Sequence, residues 1–217
     1  EAGFPQFKLG RYAGVADHPS LARRLQQSGS LEGHSCTLSM AAWSPDGSLL
    51  ASGSDDAILK IWDLSRSCSQ PVHSFDTGHT SSIYSASFLP GTSNRQIATC
   101  SADRQVRVID LDRAAIKPYV SHRSRVRSLA AVSSVVIISG GEDGTVRRWD
   151  MREPGPSQEA DQQERSLLVE QRSERVGRSG VRVAVHSVAV DPTRPHMFAT
   201  GGSDPLGERG RKGGEGL

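Results

Sequence analysis

Three stretches of this chain carry the same polar residues at the same offsets, and that regularity restricts the fold more than any other feature. His34, His79 and His122 are 45 and 43 residues apart. Within the three units, Ser52, Thr99 and Ser139 stand four residues before Asp56, Asp103 and Asp143. Trp62, Ile109 and Trp149 stand six residues after those aspartates. A fixed period of this size marks repeated supersecondary units that cannot bury their apolar faces alone and must stack on one another.

Each unit reads as strands. Short β-branched or alternating runs, such as Ile83 to Phe88 and Val136 to Ser139, are separated by clusters of Gly, Asp, Ser and Pro. That is the pattern of antiparallel strands joined by tight turns. Ser44-Pro45-Asp46-Gly47 and Asp143-Gly144 are the clearest turns. Helical periodicity of useful length is missing between residues 33 and 150.

With Gly33-His34, Trp62-Asp63, Gly78-His79 and Trp149-Asp150 at these spacings, the chain resembles the WD-repeat β-propeller family over about residues 33–204. The resemblance implies an all-β fold, an incomplete propeller of three four-stranded blades plus part of a fourth, preceded by a short helix. It also implies a hydrogen-bonded chain in each blade. Its members are His34, Ser52, Asp56 and Trp62 in the first, His79, Thr99 and Asp103 in the second, and His122, Ser139, Asp143 and Trp149 in the third. Such a chain leaves the buried imidazole and carboxylate with partners. Ile109 replaces Trp in the second, so that chain is one member short.

Five segments are expected. Residues 1–30 form an N-terminal extension with a short helix over 18–27, where Pro19 suits a first turn and Gly29 a stop. Residues 31–151 hold blades one to three. Residues 152–179, rich in Glu, Gln, Arg and Ser, read as a disordered insertion. Residues 180–204 begin a fourth blade, and 205–217 form a disordered or aberrant tail without apolar periodicity. An open set of blades exposes strand edges and apolar faces, so the isolated chain is expected to be marginally stable or to aggregate.

Composition excludes several functions. The 26 basic and 24 acidic residues give a net charge of only +2, too small to argue for a nucleic-acid or membrane-surface partner. Arg123 to Arg127 and Arg172 to Arg182 are basic clusters without interleaved aromatics and read as solvated faces. No run approaches the roughly 18 apolar residues of a membrane span. Cys36, Cys68 and Cys100 lack CxxC spacing, which suits a reducing compartment, cytoplasmic or nuclear. The recurring Ser, His and Asp are the residue types of nucleophilic catalysis, but one set suffices for an enzyme and here three recur in step. The histidines belong to separate units, too far apart to share a metal. No catalytic residue, metal ligand or cofactor is assigned, and the chain reads as a non-enzymatic scaffold for protein partners.

Trp149-Asp150-Met151-Arg152 is the sharpest partner signal. It matches the Trp-Asp-x-Arg box that, in WD-repeat substrate receptors of the cullin-4 ubiquitin ligase, marks the face docking onto the ligase's propeller adaptor. Trp149, Asp150 and Arg152 are therefore the candidate adaptor-binding residues. Trp62-Asp63-Leu64-Ser65 and Ile109-Asp110-Leu111-Asp112 depart from the box. Gly10-Arg11-Tyr12, His18-Pro-Ser-Leu21, Arg24-Leu25, Thr77-Gly-His-Thr80 and Glu142-Asp-Gly144 are similar to the family of WD and tetratricopeptide repeats proteins. That resemblance implies a cullin-4 substrate receptor in protein ubiquitination, holding an unknown target protein. The alternative is a general WD-repeat scaffold in signalling or RNA-related complexes.

Overall fold

A computed structural model describes residues 27, 29–65, 70–153, 166–171 and 182–203. Three four-stranded antiparallel sheets follow one another along the chain, each built from consecutive strands. The first contains β1 (Leu38–Trp43), β2 (Leu49–Ser54), β3 (Ile58–Asp63) and β4 (His73–Asp76). The second contains β5 (Ile83–Phe88), β6 (Gln96–Ser101), β7 (Gln105–Asp110) and β8 (Ala115–Val120). The third contains β9 (Val126–Ala131), β10 (Val136–Gly141), β11 (Thr145–Asp150) and β12 (Leu167–Glu170). A hairpin of β13 (Val185–Asp191) and β14 (Arg194–Gly202) completes the described part.

The turns explain the strand ends. In the first sheet Gly47 donates its N–H to the Ser44 carbonyl (2.9 Å) at φ +72°, a left-handed conformation that glycine adopts without steric cost. The turn between second and third strands is the same in all three sheets. Ala57, Arg104 and Gly144 each occupy the left-handed region, with N–H bonds to Ser54, Ser101 and Gly141.

The sheets stack face to face in chain order, β1 against β5, β5 against β9 and β9 against β13. Because each inner sheet is covered on both sides, a strand such as β10 is buried throughout instead of alternating, with Ser139 its one polar side chain. Ala51, Ile61, Phe88, Ile97 and Ile109 fill the space between the first two sheets. Cys100, Val106, Val126, Leu129, Ile137 and Trp149 fill the next, and Ile138, Val146, Val185 and Val188 the last.

A small residue on each second strand admits the next sheet. A Cβ on Gly53 would lie 2.9 Å from Ile83, and one on Gly140 would lie 2.6 Å from both Val185 and Val188. Cys100 stands at the matching place in β6 and packs in one cluster with Val126. The hairpin thus docks on the third sheet as that sheet docks on the second. The stack is open at its first face, where Trp43 is 57% and Leu38 54% exposed.

The expected disordered insertion over 152–179 is corrected at its centre. Leu167–Glu170 pairs with β11 through Thr145 to Arg147 and forms the outermost strand of the third sheet. Hydrogen bonding to an otherwise unpaired strand edge orders a segment whose composition alone is too polar to fold. The helix expected over 18–27 lies outside the described residues save Gln27, as do Asp204 and the tail.

Candidate protein-docking site

The turn and strand geometry brings the expected polar residues together in every sheet. In the third, Trp149 Nε1 lies 2.8 Å from Ser139 Oγ, Ser139 Oγ 2.8 Å from His122 Nε2, and His122 Nδ1 3.2 Å from the Asp143 carboxylate. An indole N–H only donates, so Ser139 accepts from Trp149 and directs its own hydrogen to His122 Nε2. That leaves a neutral imidazole donating Nδ1–H to Asp143. In the first sheet the same links measure 2.8 Å (Trp62 to Ser52), 2.8 Å (Ser52 to His34) and 3.1 Å (His34 to Asp56). In the second, Thr99 lies 3.0 Å from His79 and His79 2.8 Å from Asp103, and Ile109 supplies no donor.

The electrostatics agree with neutral histidine and ionised aspartate in the third sheet. Burial holds the His122 pKa below its ordinary value and outweighs the opposing pull of Asp143. Burial would raise Asp143, but hydrogen bonds from His122, the Arg123 N–H and Thr145 overcome it and hold the carboxyl well below its usual range. Asp103 and Asp56 are lowered in the same way, against their own burial. The third network extends further, because Thr145 Oγ1 bonds Asp143 (2.7 Å) and accepts from the buried Arg147, which reaches Ser166.

Ser139, His122 and Asp143 have the connectivity of a catalytic triad, yet the serine is fully buried and its oxygen is already occupied by Trp149. The arrangement ties the incoming loop, the second strand, the tight turn and the third strand to one another. Among the described residues no cluster of His, Cys, Asp and Glu is arranged to hold a metal ion. None of the described helices is long and apolar enough to cross a membrane.

The end of β11 departs from the other third strands. Trp149 is only 2% exposed and bound inward, so it supports the box instead of presenting a surface. Asp150 accepts from the Arg152 N–H (3.0 Å), from Arg152 Nε (2.9 Å) and Nη2, and from Arg148 Nη2 (3.1 Å). The Arg152 hydrogen bond, helped by both guanidinium charges, lowers Asp150 to about 2. Arg152 is 68% exposed, and its side-on fork to Asp150 through Nε and Nη2 fixes an exposed cationic group. At the corresponding places, Asp63 holds the N–H and hydroxyl of Ser65, and Asp110 the N–H groups of Asp112 and Arg113.

Beside Arg152 runs a cleft of about 330 Å³, lined by Val108, Ile116, Tyr119, Val135, Met151 and others. Tyr119 is 3% exposed, and its hydroxyl has no hydrogen-bond partner among the described residues. Burial, then the charges of Asp150 and Glu153, push its pKa up to about 12. Sequence reasoning missed this cleft, because its lining comes from β6, β7, β8, the loop before β10 and the residues after β11. Only the apolar residues Ile116 and Tyr119 on an outermost strand hinted at it.

The WD domain, G-beta repeat family matches residues 25–63, 69–110 and 115–150, each match ending at the aspartate that closes a third strand. The chain belongs to the WD40-repeat family. The WD40 ranges cover the three complete sheets through their third strands, and the hairpin of 182–203 beyond them packs by the same contacts. Among curated relatives, Protein ALTERED SEED GERMINATION 2 of Arabidopsis thaliana is 38% identical over 86% of this chain and 27% of its own length. WD and tetratricopeptide repeats protein 1 of Mus musculus is 32% identical over 85% of the chain and 26% of its own. Human DDB1- and CUL4-associated factor 6 is 30% identical over 84% and 20% respectively. The chain therefore spans about a quarter of these relatives or less.

Proposed function

We propose that this WD40 chain is part of a substrate receptor for a cullin-4 ubiquitin ligase, docking on the ligase's DDB1-type adaptor and catalysing nothing itself. The observation that carries the reading is the Arg152 guanidinium, fixed by Asp150 at an exposed strand end beside an apolar cleft. A rigid, permanently charged fork next to an apolar recess suits a protein surface that offers an acceptor and an apolar side chain together. The name of the human relative, a DDB1- and CUL4-associated factor, supports the same partner. The three stacked sheets, the docked hairpin and the exposed Trp43 face support a ring of such sheets, of which these are three blades and part of a fourth. The place of action on this reading is the cytoplasm or nucleus.

Affinity capture of the adaptor by the full chain, compared with Arg152→Ala, tests it. The parent retains the adaptor and the variant loses it. Retention that the substitution leaves unchanged removes the box from the docking surface, and absence of retention by the parent favours a general scaffold.

A further inference from the structure

A second recess lies between the turn joining β6 to β7 and the segment joining β8 to β9. Its volume is about 250 Å³, and Asp103, Arg104, Gln105, Ser121, His122 and Arg123 are among the residues around it. We infer that this recess binds a phosphorylated side chain of a protein partner. The inference rests on the scaffold reading above but not on the adaptor.

Three features converge there. Ser121 is 2% exposed, lines the recess, and its hydroxyl has no hydrogen-bond partner among the described residues. A buried hydroxyl left unpaired is costly unless a ligand completes it. Arg104 and Arg123 are both exposed at the rim, and neither guanidinium is engaged in an ion pair among the described residues. The one carboxylate in the lining is already satisfied. Asp103 accepts from His79 (2.8 Å), the Thr80 N–H (3.1 Å) and the Gln105 N–H (3.0 Å). His122 is likewise occupied, by Ser139 and Asp143. Two guanidinium groups thus face a single carboxylate in the lining.

A phosphoryl group fits these donors better than a carboxylate does. It carries close to two negative charges and three acceptor oxygens, enough for two guanidinium forks and a hydroxyl. The ring nitrogens of His122 are occupied and no Trp, Tyr or Phe lines the recess, so it lacks a platform for stacking a nucleic-acid base. Its volume suits a single modified side chain.

The test measures fluorescence anisotropy of the full chain at low salt. The probes are a labelled degenerate peptide pool with one fixed phosphoserine, its unphosphorylated twin and an oligouridine of the same charge. Arg104→Gly is a safe variant for the fold, because Gly144 holds the same turn position at φ +76° in the third sheet. The phosphopeptide pool is expected to bind about tenfold or more tightly than its twin, and Arg104→Gly with Arg123→Gln to lose that margin. Ser121→Ala is expected to weaken it a few-fold, and added salt to weaken it further. Capture of the adaptor by the double variant stays at the parent level, which separates this site from Arg152. Equal binding of the two pools, or binding that survives the double variant, overturns the inference. Oligouridine bound more tightly than the phosphopeptide and released by the same substitutions assigns the recess to nucleic acid, and overturns it too.

Discussion

Replacing Ser139 by Ala removes one hydroxyl that two buried groups share. Trp149 Nε1–H loses its acceptor and His122 Nε2 loses its donor, each previously held at 2.8 Å. A buried polar group left unpaired costs about 1–3 kcal/mol, so the two together cost roughly 2–6 kcal/mol. The second sheet provides an internal control. Thr99→Val deletes the equivalent hydroxyl at constant volume, but Ile109 has no N–H to strand, so only His79 is left unpaired and the cost falls to roughly 1–3 kcal/mol, half of that for Ser139→Ala. At about 3 °C per kcal/mol for a chain of this size, the expected falls in melting temperature are roughly 6–18 °C for Ser139→Ala and roughly 3–9 °C for Thr99→Val, the first about twice the second. Ser52→Ala should resemble Ser139→Ala, because Trp62 donates to Ser52 as Trp149 does to Ser139. Thermal and urea unfolding of the full chain, followed by circular dichroism, provide the comparison. A Thr99→Val loss equal to or greater than that of Ser139→Ala would refute the view that the shared indole bond sets the difference.

Four further outcomes are expected. His122 has a folded pKa below its ordinary 6.5, so the unfolded chain takes up its proton first and stability falls as pH drops below about 6.5. The lowered Asp56, Asp103 and Asp143 stabilise the fold above their ordinary 3.8, and that stabilisation is lost as pH falls through their folded values. Melting temperature against pH should show both declines, and a flat profile between pH 7 and 5 would contradict the first. Gly140→Ala drives a methyl into Val185 and Val188 at a cost of about 1–3 kcal/mol. Hydrogen exchange over residues 185–202 should then accelerate more than in the first sheet. Asp150→Asn frees the Arg152 fork without touching Trp149, so adaptor capture should weaken while the indole environment seen by fluorescence is unchanged. Cys100 is buried and its thiol pKa raised by that burial, whereas Cys36 is exposed. Alkylation mapped by mass spectrometry should label Cys36 and spare Cys100 until the chain unfolds.

The polar chain was legible in the sequence because its geometry imposes fixed offsets. A tight turn carrying Asp56, Asp103 or Asp143 leaves one strand length to the hydroxyl before it and one to the tryptophan or isoleucine after it. The strand at Leu167–Glu170 was not legible, since three apolar residues in a polar stretch carry no periodicity and only the free edge of β11 orders them. Spacing showed the residues of the box but not how they are held. Trp149 serves the interior, and the Asp150 fork that fixes Arg152 is invisible in spacing alone. Glycine directly after the network serine, at Gly53 and Gly140, is a signal that could have located the contacts between sheets. The cleft beside Arg152 combines residues of the second and third sheets, and the other recess combines a turn of the second sheet with the segment that leads to the third, juxtapositions no single repeat encodes.

Exchange of the tryptophan indole hydrogens, read by nitrogen-edited NMR, tests the shared hydroxyl most directly. The indole N–H groups of Trp62 and Trp149 should exchange far more slowly than a free indole. In Ser52→Ala the protection of Trp62 should fall while that of Trp149 persists. Free-indole exchange at both positions in the folded chain, or protection of Trp62 indifferent to Ser52, would contradict a polar chain that braces each sheet.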